Sequence, residues 1–200
     1  MNAMRMLGAT AMILGAAAPF AGAPRPSASS AGAIDIAALA HLVATQQDHV
    51  SAIELARWIR SQRRGLRVID VRPPEAFAHF SLPTAENIPI GQIPGARFGD
   101  DETVVLYSEG GAHAAQAWVF LKAAGVRNVL FVAGGLGDWF DEVMTPVIPA
   151  DPPPARAAEY AEIAETSAYF GGTPRRAAPG APPREGGTVA LAANARRRGC

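Results

Sequence analysis

The chain has 200 residues, 49% hydrophobic and 18% charged, with a formal net charge of zero. That length holds one domain with a real core rather than two, and the composition is that of a soluble globular protein. The balanced charge argues against nucleic acid or a membrane as a partner of the chain as a whole. Cys200 is the single cysteine, which excludes an internal disulfide and a cysteine zinc site.

The N-terminus reads as a secretory signal over residues 1–23. Arg5 supplies the positive start, Met6 to Phe20 carries no charge, and Ala21-Gly22-Ala23 is an A-x-A cleavage pattern followed by Pro24. Cleavage after Ala23 and a periplasmic or secreted location are the expectation. An uncleaved anchor is the alternative, although the run is short and only mildly apolar. Residues 24–47 combine a Pro/Ser/Ala/Gly-rich linker with an Ala-rich helix over Ile34 to Gln46.

Ser51 with Glu54 forms a capping box, Val50 and Leu55 sit at the staple positions, and Ala52, Leu55, Ala56 and Ile59 line one helical face ending near Gly65. The sequence then alternates. Leu66 to Val71 reads as a buried strand, Pro73-Pro74 opens a short helix to about Ala78, and Glu86 to Ile90 is extended. Thr103 to Tyr107 is a further strand, His113 to Ala124 a helix stopped by Gly125, and Asn128 to Val132 another strand. A Gly134-Gly135 turn and a helix from Leu136 to about Val143 complete the pattern. Strands alternating with helices define an α/β domain with a mainly parallel sheet flanked by helices, placed at residues 48–149.

Beyond it, residues 150–200 read as a helix over Ala155 to Tyr169, with Tyr160, Ala161, Ala164 and Ala168 toward the domain. A disordered Pro/Gly/Arg-rich tail follows Gly171-Gly172. From Ser167 onward six arginines (Arg175, Arg176, Arg184, Arg196, Arg197, Arg198) face one acid, Glu185. This is a solvated tail, or alternatively a weak contact with an acidic surface.

In a parallel α/β sheet, ligands bind at the carboxyl ends of strands against helix N-termini. The candidate is the turn Ser108-Glu109-Gly110-Gly111-Ala112-His113 between TVVLY and the next helix. Its two glycines let the backbone curl with N–H groups inward, which makes an anion cradle.

Four segments in order, VIDVR (Val68 to Arg72), SLPTAENIP (Ser81 to Pro89), VVLY with its loop, and GGLGDW (Gly134 to Trp139), resemble the rhodanese family across residues 50–142. The resemblance implies a small α/β domain and sulfurtransferase chemistry at a C-x-x-G-x-R loop. Here Ser108 stands where the family has its cysteine, Glu109 where many active members have a basic residue, and His113 where the loop closes with arginine, while Gly111 matches. Sulfur transfer needs a thiolate that becomes a persulfide, and a serine hydroxyl is barely ionised near neutral pH. Glu109 also sets a negative charge where an anionic donor would dock. The expectation is a non-classical member lacking ordinary thiosulfate sulfurtransferase activity and acting as a binding or accessory module for a protein partner or a small anion. Sulfur transfer or carriage through Cys200, or through a partner's cysteine, is the alternative.

The remaining residues read more plainly. Ser108 as a serine nucleophile would need Gly at 106, where the chain has Leu106, and a base such as His79 or His113. Asp70 and Arg72 read as support for the loop. His41, His49, His79 and His113 have no metal-ligand spacing, so neither metal nor cofactor is implied. Trp58, Trp118 and Trp139 read as core. Cys200 beside Arg196 to Arg198 is either a reactive thiol or an ordinary tail residue.

Overall fold

The computed structural model describes residues 35–177. The signal segment, the linker, the tail arginines from Arg184 onward and Cys200 lie outside the described residues.

Helix α1 (Ile36–Ala44) starts at Asp35, whose side chain accepts the Ala38 N–H at 2.9 Å. The short strand β1 (His49–Val50) leads into α2 (Ala52–Arg60), and Ser51 caps α2 by accepting the Glu54 N–H at 3.2 Å. Then come β2 (Leu66–Asp70), α3 (Pro74–His79), β3 (Ala85–Asn87), a 3-10 segment (Ile90–Gly95), β4 (Thr103–Tyr107), α4 (Ala112–Ala123) and β5 (Val129–Val132). Helix α5 (Gly135–Asp138) runs directly into a wider π turn (Trp139–Met144), and α6 (Ala157–Tyr169) follows the short strand β6 (Val147–Ile148). The last element is β7 (Arg175–Arg176).

Five strands form one sheet in the order β1-β5-β4-β2-β3, every pair parallel. Side chains alternate across the central strand. Val105 and Tyr107 join Leu55, Ala56, Ile59, Leu136, Trp139 and Val143 on one face. Val104 and Leu106 join Ala117, Trp118, Leu121 and Ile93 on the other. Burial on both faces explains why β4 reads as a continuous apolar run rather than an alternating one.

The two-residue β1 was not visible in the sequence, because two residues carry no period. It exists because Phe131 and Ala133 donate their N–H groups to Asp48 and Val50 at 3.1 Å each. The extended segment expected at Glu86 to Ile90 begins one residue earlier and closes at Asn87, since Ile90 enters the 3-10 segment. Trp118 and Trp139 are core, whereas Trp58 is only partly buried, with the Arg63 guanidinium 4.1 Å above its ring.

Helix α6 presents only part of the face expected. Tyr160 is buried and Ala164 half-buried as expected, but Thr166 and Ser167 are buried too, and Ala161 and Ala168 are exposed. Its rotation follows a polar seam with α2: Arg57 pairs with Glu162 at 3.1 Å, Arg60 pairs with Glu165 at 3.2 Å, and Arg60 also donates to Thr166 Oγ1. Phe170 then meets Trp139 edge-on at 5.1 Å. Residues 173–177, expected to lie in the disordered tail, instead run beside β6, with Arg175–Arg176 pairing to it in parallel. Thr173, Arg175 and Ala177 donate to the carbonyls of Met144, Pro146 and Ile148.

Among the non-glycine residues with positive φ, Thr84 (φ 64°) is β-branched and sits in the turn before β3. Such a conformation costs a β-branched residue on the order of 1 kcal/mol. Thr84→Gly is expected to raise stability by roughly that amount, less the extra entropy glycine adds to the unfolded chain. Urea denaturation of the two chains checks this, and a lower midpoint for the glycine variant would refute it.

Candidate functional site

The site grows out of the adjoining strands β2 and β4. Their register sets Asp70 opposite Tyr107. Val71 N–H donates to the Tyr107 carbonyl at 3.0 Å, so the chain after β2 stays beside the chain after β4. Asn87 fixes the turn by donating from Nδ2 to the carbonyls of Asp70 (3.0 Å) and Arg72 (2.9 Å).

Arg72 is brought inward by this arrangement. Its Nε and Nη2 donate to the Asp70 carboxylate at 3.0 and 2.7 Å, its backbone N–H donates to Asp70 Oδ1 at 2.9 Å, and Nη2 also reaches the Phe80 carbonyl at 2.6 Å. Side-chain exposure is 9% for Arg72 and 0% for Asp70. The hydrogen-bonded Asp70 carboxylate holds the guanidinium pKa above its ordinary value despite burial. Tyr107 lies under Arg72, its hydroxyl accepting the Leu82 N–H at 3.1 Å, and burial pushes the phenol pKa up.

The loop follows. Ser108 is buried, and its Oγ accepts the Ala114 N–H at 3.3 Å. Gly111 adopts φ 86° and stands at the N-cap of α4. Among the described residues, the N–H groups of Glu109, Gly110, Gly111, Ala112 and His113 donate to no protein acceptor. The carbonyls of Ser108 and Glu109 are instead held from behind, by Leu136 N–H (3.0 Å) and Gly137 N–H (3.2 Å). Gly135 makes this possible, because a Cβ there would strike the Ser108 carbonyl oxygen and lie 2.8 Å from Gly111 N. The Gly-Gly motif is therefore the bed on which the loop rests.

Of the expected site residues, the structure gathers Asp70, Arg72, Ser108, Glu109, Gly110, Gly111, Ala112 and His113 in one place. Arg72 Nη1 reaches Glu109 Oε2 at 3.1 Å, and the Glu109 side chain is 80% exposed. His113 is exposed in the first turn of α4, and neither it nor His79 hydrogen-bonds Ser108 among the described residues. Sequence reading missed Tyr107, Asn87, the Phe80 carbonyl and Gly135 as parts of the site. The VVLY, NIP and Gly-Gly motifs held the signal for Tyr107, Asn87 and Gly135, and the Phe80 carbonyl had none.

Glu142 in the π turn lies against the N–H groups of Ala52 and Ile53 at the start of α2. Its Oε2 is buried without a hydrogen-bond partner. Burial first, then the nearby Asp138, pushes its carboxyl up to about 7. Among the described residues no group of His, Cys, Asp and Glu side chains could hold a metal, and no helix is long and apolar enough to cross a membrane.

This is a parallel α/β domain with a glycine-bedded loop at the carboxyl end of a central strand. Residues 51–142 match the rhodanese-like domain family, and the chain carries a rhodanese-like domain with a mainly parallel sheet flanked by helices. A tRNA uridine(34) hydroxylase of Xylella fastidiosa is 31% identical over 106 residues, covering 47% of this chain and 41% of its own length. The probable adenylyltransferase/sulfurtransferase MoeZ of Mycobacterium tuberculosis is 30% identical over 99 residues, covering 48% and 25%. The chain thus spans less than half the length of these curated relatives. Among solved structures, a human single-domain sulfurtransferase is 26% identical with a TM-score of 0.42, covering 46% of this chain and 95% of its own. A rhodanese-like domain protein of Staphylococcus aureus is 28% identical with a TM-score of 0.43, covering 48% and 93%.

Two expectations follow. Gly135→Ala should destabilise the fold by roughly 2–4 kcal/mol, because backbone rather than a flexible side chain must yield. A denaturation midpoint within error of the parent would contradict the bed described above. The raised Glu142 value means that the folded chain holds this proton more tightly than the unfolded chain does. Stability is therefore favoured below the ordinary glutamate range and lost as pH rises toward 7. Thermal unfolding between about pH 5 and about pH 8 should show Tm falling, and Glu142→Gln should flatten that fall. Parallel curves for the two chains would argue against it.

Proposed function

We propose that this chain is an exported rhodanese-fold binding or accessory module, whose 108–113 loop engages a small anion or an anionic group of a protein partner without a covalent sulfur step. The observation that carries this reading is Ser108 at the head of the loop, buried and hydrogen-bonded to Ala114 N–H, with no histidine bonded to it. A hydroxyl in that place supplies neither the thiolate nor the persulfide that sulfur transfer requires. The five N–H groups from Glu109 to His113, which have no protein acceptor among the described residues, still offer donors for a bound anion. Export rests on Arg5, the uncharged run Met6 to Phe20 and Ala21-Gly22-Ala23.

A second reading keeps sulfur chemistry, through Cys200 or through a partner's cysteine. It is favoured by the sulfurtransferase names among the relatives and by Arg196 to Arg198, whose charge would lower the pKa of the Cys200 thiol.

Intact mass after reduction and thiosulfate treatment separates the two. The parent chain is expected to gain no sulfur, and Ser108→Cys combined with Glu109→Lys to gain one atom as thiosulfate leaves sulfite, because the cradle is already in place to stabilise a thiolate. One sulfur atom on the parent, lost in Cys200→Ser, would overturn the binding-module reading and establish the second.

A further inference from the structure

Arginines crowd the C-terminal end of α2. Arg57, Arg60, Arg63 and Arg64 fall within residues 57–64, a stretch that contains no acid. The acids come from α6. Glu162 meets Arg57 at 3.1 Å and Glu165 meets Arg60 at 3.2 Å, so a step of three along α2 matches a step of three along α6. The next step pairs Arg63 with Ala168, and the ladder runs out of carboxylates while the arginines continue. Among the described residues Arg63 and Arg64 have no carboxylate partner, and both are exposed.

The ladder borders a concave surface. An open pocket of about 360 Å³ is lined by Arg57, Trp58, Arg60, Ser61 and Glu162. Arg57 Nε is buried without a hydrogen-bond partner, since Glu162 Oε1 stands 3.1 Å away but off the line of the N–H. A buried donor left unmet is costly, and an incoming acceptor relieves that cost. Trp58 is only partly buried, unlike the core Trp118 and Trp139, and the Arg63 guanidinium lies over its ring. An unmet donor, an indole and two unmatched guanidiniums therefore adjoin one another.

We infer that the C-terminal end of α2, with the pocket it shares with α6, is a docking surface for an acidic peptide segment of a partner protein. Partner carboxylates take Arg63 and Arg64 and extend the ladder that Glu162 and Glu165 begin, while a peptide carbonyl meets Arg57 Nε in the pocket. The chain's own remaining segments do not match this charge. Residues 1–34 carry Arg5 and Arg25 and no acid, and residues 178–200 carry four arginines against Glu185. A nucleic-acid strand fits less well, because it carries a charge at every unit past Glu162 and Glu165. A peptide can set its acids opposite Arg63 and Arg64 and an uncharged side chain in the pocket. Arg64 precedes the amino end of β2, whereas the 108–113 loop follows the carboxyl end of the parallel β4. The two lie at opposite ends of the sheet, so a partner docked here leaves the loop open, whatever the loop binds.

The test is fluorescence anisotropy of a dye-labelled oligo-glutamate peptide titrated with the full chain, with its oligo-glutamine counterpart as the uncharged probe. The parent is expected to bind the glutamate peptide alone, more weakly as salt is raised, and to show a shift of the Trp58 indole N–H resonance on binding. Arg63→Gln combined with Arg64→Gln should weaken binding roughly tenfold. Arg97→Gln combined with Arg127→Gln removes the same charge beside Phe98 and Val126, which pack on the other face of the sheet, and should match the parent. No binding of the glutamate peptide, equal binding of the glutamine peptide, or an equal loss in the control pair would each overturn the inference. So would a single-stranded oligonucleotide or an anionic phospholipid vesicle held more tightly than the peptide. Self-association of the parent in sedimentation, lost when Arg63 and Arg64 are replaced, would put a second copy on this surface and overturn it as well.

Discussion

The buried Asp70–Arg72 pair is the constraint on which the rest of the site depends. A guanidinium enters a protein interior only when its donors are met, and Asp70 meets three of the Arg72 N–H groups from the same strand end. Phe80 supplies a further acceptor, which ties the start of the SLPTAENIP segment to β2. Asn87 returns from β3 to hold the same turn. Removing either charged partner would strand the other in the interior, a loss typically of about 3–5 kcal/mol, so the pair acts as the site's foundation and is unsuited to a chemical role.

Above that foundation, shape and charge carry separate messages. The backbone of the loop is held by the Gly134-Gly135 turn in a curl that leaves consecutive N–H groups without an acceptor among the described residues, which is the shape of an anion cradle. The side chains on the curl give a different account: a hydroxyl at 108, a carboxylate at 109, and an exposed imidazole at 113. Backbone geometry is set by glycines and by neighbouring strands, so it survives changes at Ser108 and Glu109. A rhodanese-like frame and a loop headed by serine are therefore physically compatible in one chain.

Much of the fold was legible because its signals are local. The Ser51–Glu54 box marked the start of α2, and β-branched runs marked β2 and β4. Gly125 marked the end of α4. What escaped notice depends on partners distant in sequence. Strand β1 exists only against β5, and the rotation of α6 is decided by Arg57 and Arg60 more than a hundred positions upstream. The loop itself could be placed from flanking motifs, and Asp70 and Arg72 were identified as its support. That Arg72 divides its donors between a buried and an exposed carboxylate is a three-dimensional fact, invisible in any spacing.

Trp139 closes the GGLGDW motif within the family-matched span, yet its edge is covered by Phe170, which lies outside that span. The polar seam between α2 and α6 and the β6–β7 ribbon extend the same cover. The boundary drawn by homology and the boundary drawn by burial thus fall in different places. A chain cut at residue 142 would keep every motif of the loop and lose the lid on one of its largest core side chains. The packed unit of this protein is longer than its family-matched span, and its C-terminal helix is part of the domain rather than an appendage to it.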